Sequence, residues 1–313
     1  MRTHRAPRRW GHSSSWRSHD ASARTDGPVV AGIDGSATSY AAAVWAAREA
    51  GLHGCPLRIV SALGAPTPYG DGIRLPPSYF IDRDRAVHAG LDTAAAAACS
   101  AGEPAPTAVT TDVLEGPARP ALLEASKSAR MMVVGSRGLG RVTAALAGSV
   151  AVALGAHAHC PVVVIRASTE HPTGGDVVVG VDGTDNSRSA LAAAFEEAAL
   201  RGARVHAVHT WSQFDMSTAF DDQFRLEWDE VEVAEQAVLA ESLAGWTETY
   251  PGTAVARTVV RGHAADELLS VAADADLLVV GSHGRGGFTG MLLGSTSGVL
   301  LHSATCPLMI VRT

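Results

Sequence analysis

The chain repeats itself, and the repeat limits what it can fold into. The run Val29-Val30-Ala31-Gly32-Ile33-Asp34-Gly35-Ser36 returns as Val178-Val179-Gly180-Val181-Asp182-Gly183-Thr184, with Asp34 and Asp182 standing 148 positions apart. Gly135-Ser136-Arg137-Gly138 matches Gly281-Ser282-His283-Gly284, Gly148-Ser149 matches Gly294-Ser295, and Cys160-Pro161 matches Cys306-Pro307, each pair 146 positions apart. A period this long is a whole domain, not a solenoid unit of roughly 20–50 residues. Two domains also suit a chain of 313 residues, because single cores stop growing near ~250–300. The polar, breaker-rich stretch from Ser168 to Gly175 marks the junction. The predicted division is a domain over 28–167, a linker over 168–176 and a second domain over 177–313, with an Arg/Ser-rich segment, 1–27, expected to be disordered.

Within each copy, short Val/Ile/Leu runs alternate with alanine-rich helical stretches, the pattern of βαβ units around a parallel sheet. The strands predicted in the first copy are Val29–Asp34, Leu57–Ala62, Ala108–Leu114, Met131–Gly135 and Val162–Arg166. Those in the second are Val177–Asp182, Arg204–His209, Ala254–Arg261, Leu277–Gly281 and Leu308–Arg312. Continuously apolar strands belong to a sheet buried on both faces. Ala41–Leu52 and Ser187–Leu200 read as crossover helices, with Ser36 and Thr184 as N-cap candidates. The fold class is therefore α/β, two tandem doubly wound domains.

Composition removes several classes of function. A hydrophobic share of 46% against 18% charged residues is that of a folded chain. The net charge is -7 and Lys127 is the only lysine, so no broad basic face for a nucleic acid is predicted. No apolar run approaches the ~20 residues that span a bilayer. Arg8-Arg9 is followed by Gly11-His12-Ser13-Ser14-Ser15 where an export signal needs a hydrophobic stretch. A cytoplasmic location is the expectation. Cys55, Cys99, Cys160 and Cys306 form no C-x-x-C pair, so they read as buried thiols.

The chemistry is concentrated after the fourth strand of each copy. Gly135 and Gly138 are followed after nine residues by Gly148-Ser149, and Gly281 and Gly284 by Gly294-Ser295 at the same spacing. A glycine-ended strand lets backbone N–H groups approach a phosphate with no Cβ in the way. The Gly-Ser pair then opens a helix whose N-terminal amides favour an anion. Ser149 and Ser295 add a hydroxyl, and Arg137, Arg141 and Arg285 a guanidinium beside the loops. Tight turns are the alternative for any one such loop; two loops of identical spacing favour phosphate. No Walker A lysine stands in either loop, and no G-x-G-x-x-G follows the first strand.

Asp34 and Asp182 end the first strands at the switch point of a doubly wound sheet, where a carboxylate can hold a ribose hydroxyl or phosphate-bound magnesium. A turn or N-cap role is the alternative. Gly32 and Gly180, two residues earlier, either open space for adenine or ribose or permit helix–sheet packing. His157, His159 and Cys160 lack the partner cluster a zinc site needs. His206 and His209 read as packing residues. His283 stands in the second loop, where it could assist phosphate binding or slow hydrolysis, at the place of Arg137 in the first.

Together these residues resemble the ATP-binding branch of the universal stress protein family, marked by G-x2-G-x9-G-[ST], which both copies match over about Pro28 to Thr313. The runs Gly32-Ile33-Asp34-Gly35-Ser36, Val133 to Gly138 and His157 to Val162 carry the likeness in copy one; Gly180 to Thr184, Val279 to Gly284 and Cys306-Pro307-Leu308 carry it in copy two. The resemblance implies a five-stranded parallel sheet in the order 3-2-1-4-5, with ATP and Mg2+ at the carboxyl ends of strands one and four. By motif, the nucleotide residues are Gly32, Asp34, Gly135, Ser136, Arg137, Gly138, Leu139, Gly140, Arg141, Gly148, Ser149 and Val150 in copy one. In copy two they are Gly180, Asp182, Gly281, Ser282, His283, Gly284, Arg285, Gly286, Gly287, Gly294, Ser295 and Thr296.

The resemblance also implies pairing through the last strands, Val162–Ile165 and Leu308–Val311, either within the chain as a pseudo-dimer or between chains as a homodimer. The function implied is a nucleotide-dependent stress-response or signalling module acting on an unidentified protein partner, with at most weak ATP hydrolysis. The alternatives are an ATP-using enzyme, such as a phospho- or nucleotidyl transferase, and a dimerisation protein with vestigial loops. Copy one departs from the repeat at Arg130, which stands where copy two has Asp276.

Overall fold

Alternating apolar residues on the inner strands point to two different layers, and this places helices on both faces of one sheet. In the computed structural model the described residues are 27–64, 76–138, 147–166, 174–184, 186–212, 228–284 and 293–312. The segment 1–26, most of the linker, and Leu139, Gly140, Arg141, Arg285, Gly286 and Gly287 lie outside them.

The first half runs β1 (Val29–Ile33), α1 (Ala37–Leu52), β2 (Leu57–Ala62), α2 (Pro77–Cys99), β3 (Val109–Leu114), α3 (Ala118–Ala125), β4 (Met131–Gly135), α4 (Ser149–His157) and β5 (Val162–Ile165). The second runs β6 (Val177–Val181), α5 (Asn186–Arg201), β7 (Val205–Trp211), α6 (Trp228–Ser242), a short α7 (Trp246–Thr249), β8 (Val255–Arg261), α8 (Ala264–Val271), β9 (Leu277–Gly281), α9 (Ser295–Ser303) and β10 (Leu308–Val311). Asp34 and Asp182 thus stand just past their strands. None of the described helices is long and apolar enough to cross a membrane.

The ten described strands form one sheet in the order β3-β2-β1-β4-β5-β10-β9-β6-β7-β8. Each half has the order 3-2-1-4-5 and is parallel throughout. The halves meet where β5 and β10 pair antiparallel, Val162 opposite Ile310 and Val164 opposite Leu308. Val29, Ala31, Met131 and Val133 face one core layer together with Val177, Val179, Leu277 and Val279. Val30, Met132 and Val134 face the other with Val178, Leu278 and Val280. Both layers run unbroken through the two halves.

The outer strands β3 and β8 are not the continuously apolar runs expected. Their burial is partial, and Arg58 crosses to Asp112 on β3 at 2.6 Å. As the edges of the finished sheet they carry charge, which discourages further strand addition. α1 starts at Ala37, four residues before the predicted Ala41, because Ser36 caps it by accepting from the Ser39 N–H at 3.3 Å. Its buried face is Ala42, Ala43, Ala46, Ala47 and Ala50. Such small side chains let the helix lie close on the sheet.

The C-terminal halves of α1 and α5 meet over the β5–β10 joint. Glu49 and His53 of the first half occupy the places that Glu197 and Arg201 occupy in the second. Both carboxylates are buried. Arg201 donates to Glu49 at 2.5 Å and also to Glu197, and its guanidinium lies over the Trp45 ring. His53 Nε2 stands 3.0 Å from Glu197 Oε1 and 3.2 Å from Glu49 Oε1. Arg130 donates from Nε to His53 Nδ1 at 2.9 Å and from Nη2 to Glu196 at 2.6 Å. The departure of Arg130 from its repeat partner therefore belongs to the seam and not to the candidate site.

Two adjacent buried carboxylates do not both ionise freely. Burial, followed by the charge of Glu197, pushes Glu49 up to about 7. Burial also raises Glu197, but the His53 hydrogen bond and the Arg201 charge outweigh it and hold that group near about 2. Burial lowers His53, yet hydrogen bonds to Glu197 and Glu49 draw it up to about 9. Full protonation of that ring requires Arg130 to turn away from Nδ1, since two donors would otherwise face each other.

A carboxyl raised in the folded state contributes stability that is fully present below its unfolded value and is lost as pH rises through the folded value. For Glu49 that window runs from about 4.5 to about 7. Glu49→Gln should match the parent's Tm near pH 5 and exceed it at pH 8 by a few degrees, because about 1 kcal/mol moves Tm by roughly 2–4 °C in domains of this size. Calorimetry across pH checks this, and a difference that does not grow with pH would refute the shared-proton seam.

Candidate functional site

The carboxyl ends of β1 and β4 lie side by side at the point where the chain reverses its direction across the sheet. This is where open α/β sheets leave a crevice. In the first half that crevice is a cleft of about 230 Å³. Its apolar walls are Ile33, Val60, Ala62, Ala118, Leu122, Val134 and Ala151. Its polar end is made by Asp34, Ser39, Arg137, Gly138, Gly148, Ser149 and Val150, with Gly32 and Gly135 on the floor. Every described first-copy residue predicted for the site except Ser136 lines this one cleft.

Asp34 has two tasks. Its Oδ1 accepts from the Ser36 N–H at 3.0 Å, with Gly35 in the left-handed region at φ +87°, so the turn role is present. Its Oδ2 points across the cleft, 2.3 Å from where a Cβ on Gly138 would stand. Ser36 and Thr38 hydroxyls donate to the Arg137 carbonyl at 3.2 Å and 2.6 Å, tying the β1–α1 turn to the loop after β4. Ser39 donates to the Ser36 carbonyl at 2.8 Å. Thr38 and Ser39 were not singled out from sequence. The repeat held a signal for Ser39, because Ser187 is its counterpart and donates to Thr184 O at the same distance, 2.8 Å.

Ser136 is buried and structural. Its N–H donates to the Ile165 carbonyl at 2.7 Å, and its own carbonyl accepts from the Gly148 N–H at 2.7 Å. The loop thus closes before α4 begins. Gly148 is the N-cap of α4, and no side chain caps it. The first N–H groups of a helix have no helical carbonyl four residues back, and Ser149 and Val150, the first residues of α4, line the cleft.

The second half repeats this frame with changes. Ser282 N–H donates to Val311 O and Gly294 N–H to Ser282 O, both at 2.8 Å. Gly294 caps α9, which begins Ser295-Thr296. Gly284 faces Asp182 as Gly138 faces Asp34, with 3.3 Å from its missing Cβ to Oδ2. The Thr184 hydroxyl, however, turns back and donates to Asp182 Oδ1 at 2.7 Å. Ser297 stands in place of Ala151, and its hydroxyl donates to the Gly281 carbonyl at 2.6 Å. His283 Nδ1 lies 3.1 Å from Ser282 Oγ.

Three of the glycines make close packing contacts. A Cβ on Gly135 would stand 2.7 Å from Thr38 Oγ1 and 2.8 Å from the Thr38 carbonyl carbon. The close approach it permits is therefore to α1, and Gly135 also lines the cleft. Gly32 and Gly180 meet Leu122 and Leu268 at 3.3 Å and 3.1 Å, which is helix–sheet packing in both halves, while Gly32 also floors the cleft.

The remaining sequence candidates fall elsewhere. His157 and His159 are exposed and Cys160 is buried. His206 bonds to Thr258 at 2.8 Å, and burial lowers its pKa. His209 is fully buried between the Val181 carbonyl at 2.7 Å and Glu235 at 2.6 Å.

These features define a tandem, doubly wound α/β protein with a glycine-rich loop at the switch point of each half and a cleft there in the first. The Universal stress protein family model matches residues 27–166 and 175–312, and the chain belongs to that family. It is 38% identical over 288 residues to a universal stress protein of Mycobacterium tuberculosis, covering 91% of this chain and 96% of the relative. A universal stress protein of Mycolicibacterium smegmatis is 39% identical over 292 residues, covering 92% and 98%. The solved structure of a universal stress protein from Archaeoglobus fulgidus shares the fold, with a TM-score of 0.62 and 18% identity over 92% of this chain and 98% of its own.

The two kinds of glycine separate under mutation. Gly135→Ala forces its methyl into α1 backbone and should cost on the order of 1–3 kcal/mol. Gly148→Ala meets nothing nearer than 3.5 Å at φ −65° and should leave the urea midpoint nearly unchanged. Equal midpoints for the two variants would show that β4 does not press on α1 as described.

Proposed function

We propose that the chain is a cytoplasmic module that binds ATP with Mg2+ in the first-half cleft and in its counterpart, and that occupancy biases the surface it offers to a protein partner. The observation that carries this is the convergence of Asp34, Gly138 and the N-terminus of α4 on one apolar-walled cleft. The residues suit the group. The apolar walls fit a base, the Asp34 carboxylate fits a ribose hydroxyl or magnesium, and the glycine at 138 leaves room for an oxygen where a Cβ would collide. Small-molecule sites start near ~300 Å³, so at about 230 Å³ the cleft holds only part of a nucleotide. The phosphates would leave it past Gly138 and Gly148, beside Arg137 and the α4 amides. A helix N-terminus favours such charge by roughly 0.3–1 kcal/mol.

The module reading suits the residues better than an efficient enzyme does. His283 is the one histidine within either described loop, and the first loop has Arg137 there. ATP at 100 times its Kd stabilises the folded state by about 2.7 kcal/mol, so occupancy alone can act on stability.

Mass spectrometry of nucleotide released from gently purified protein tests the assignment. Gly138→Glu and Gly284→Glu should each expel nucleotide from one site only. Full occupancy in both variants, or no nucleotide and no thermal shift with ATP and Mg2+ in the parent, would refute it. Rapid turnover with a second substrate would favour the enzyme reading.

The two sites should also differ in affinity. In the first half the Ser36 hydroxyl joins the β1–α1 turn to the loop after β4, whereas its counterpart Thr184 spends its hydroxyl on its own aspartate. A site whose loops are already joined loses less freedom on binding. At limiting ATP, Gly138→Glu should therefore remove more bound nucleotide than Gly284→Glu. The reverse order would sink this ranking while leaving the assignment intact.

A further inference from the structure

Ala147 immediately precedes the Gly148-Ser149 pair, and its buried N–H needs a partner. That partner comes from the other half of the molecule: the N–H donates to Nδ1 of His302, in the last turn of α9, at 2.7 Å. Because Nδ1 accepts, the neutral ring carries its proton on Nε2. Arg166, just after β5, donates to the carbonyls of Leu301 and His302 and so fixes that turn from the first half's side.

The repeat shows how unequal this contact is. The counterparts of Ala147 and His302 are Leu293 and Ala156, and the counterpart of Leu301 is Gly155. Leu293 Cδ1 lies 3.6 Å from where a Cβ on Gly155 would stand. Each half's residue before the Gly-Ser pair thus reaches the other half's helix. One contact is apolar and side chain to backbone; the other is a directional hydrogen bond to the backbone of the loop itself.

We propose that His302 is a positioning residue for the first half's phosphate-facing loop, set in place by the second domain across the seam. It touches no ligand; it fixes the amide next to the one that closes on Ser136 and so sets where α4 begins. The proposal rests on the nucleotide reading given above, and its test separates the two. In full-length protein carrying Gly284→Glu, so that only the first site fills, ATP with Mg2+ is titrated against His302→Ala and His302→Asn. One unmade hydrogen bond predicts about 5- to 10-fold weaker binding for His302→Ala. Asn, whose Oδ1 can take the place of Nδ1, should restore affinity to within about twofold.

Amide exchange at Ala147, measured without nucleotide, gives an independent readout. It should quicken roughly tenfold in His302→Ala and stay slow in His302→Asn. Failure of the Gly284→Glu parent to bind ATP would remove the nucleotide reading alone, and the exchange rates would then decide the role of His302. Unchanged exchange in His302→Ala, unchanged affinity where the parent binds, or an Asn variant as impaired as the Ala variant would overturn the positioning role.

Discussion

The antiparallel pairing of β5 with β10 is the interaction on which the rest of the molecule depends. Val162, Val163 and Val164 face Ile310, Met309 and Leu308 with every side chain buried. Left apart, each half would expose an apolar edge of unpaired N–H and C=O groups. Joined, they make one ten-stranded sheet with two continuous core layers. The joint also anchors the sites. Ser136 and Ser282, which start the two loops, donate their backbone N–H groups to the carbonyls of Ile165 and Val311, at the ends of the two joined strands. A shift of the joint would therefore move both crevices.

How much of this could be read from the sequence depended on whether a residue's partner lay within its own repeat. The order 3-2-1-4-5 came from the family resemblance, while the positions of Asp34, Gly138 and Gly148 follow from local signals repeated twice, so these were legible. Ser36 as a cap was legible for the same reason. The seam was not. Nothing near Glu49 in sequence announces that its carboxylate meets Glu197, and Arg130 looked like a blemish before a strand until His53 and Glu196 appeared beside it. Likewise Gly135 reads as a phosphate-loop glycine because it begins the motif. Its missing Cβ is used by Thr38, a contact that exists only after β1 and β4 have been laid side by side.

The cleft itself separates what holds shape from what could hold a ligand. Ser136, Thr38 and the Ser36 hydroxyl direct their hydrogen bonds at backbone, so their work is complete without any guest. Asp34 is divided between the two roles, one oxygen in the turn and the other facing Gly138. The α4 amides are different in kind, since a helix start always leaves donors that something outside the helix must satisfy. The described frame is thus held by the protein's own backbone, with the start of α4 at the cleft.

Joining two copies in one chain also permits what a symmetric pair of identical chains cannot. On a true two-fold axis Glu49 would meet another Glu49, each with the same neighbour, and any excess of size or charge would be doubled. Here the counterpart positions differ. One carboxylate is held near about 2 and the other is pushed up to about 7, with His53 on one side and Arg201 on the other. Leu293 fits against Gly155, and His302 fits against Ala147. Each pair is large against small or donor against acceptor, combinations that need two different residues. The seam is consequently the place where the halves lose their equivalence, and it lies against the loop of one candidate site more intimately than the other.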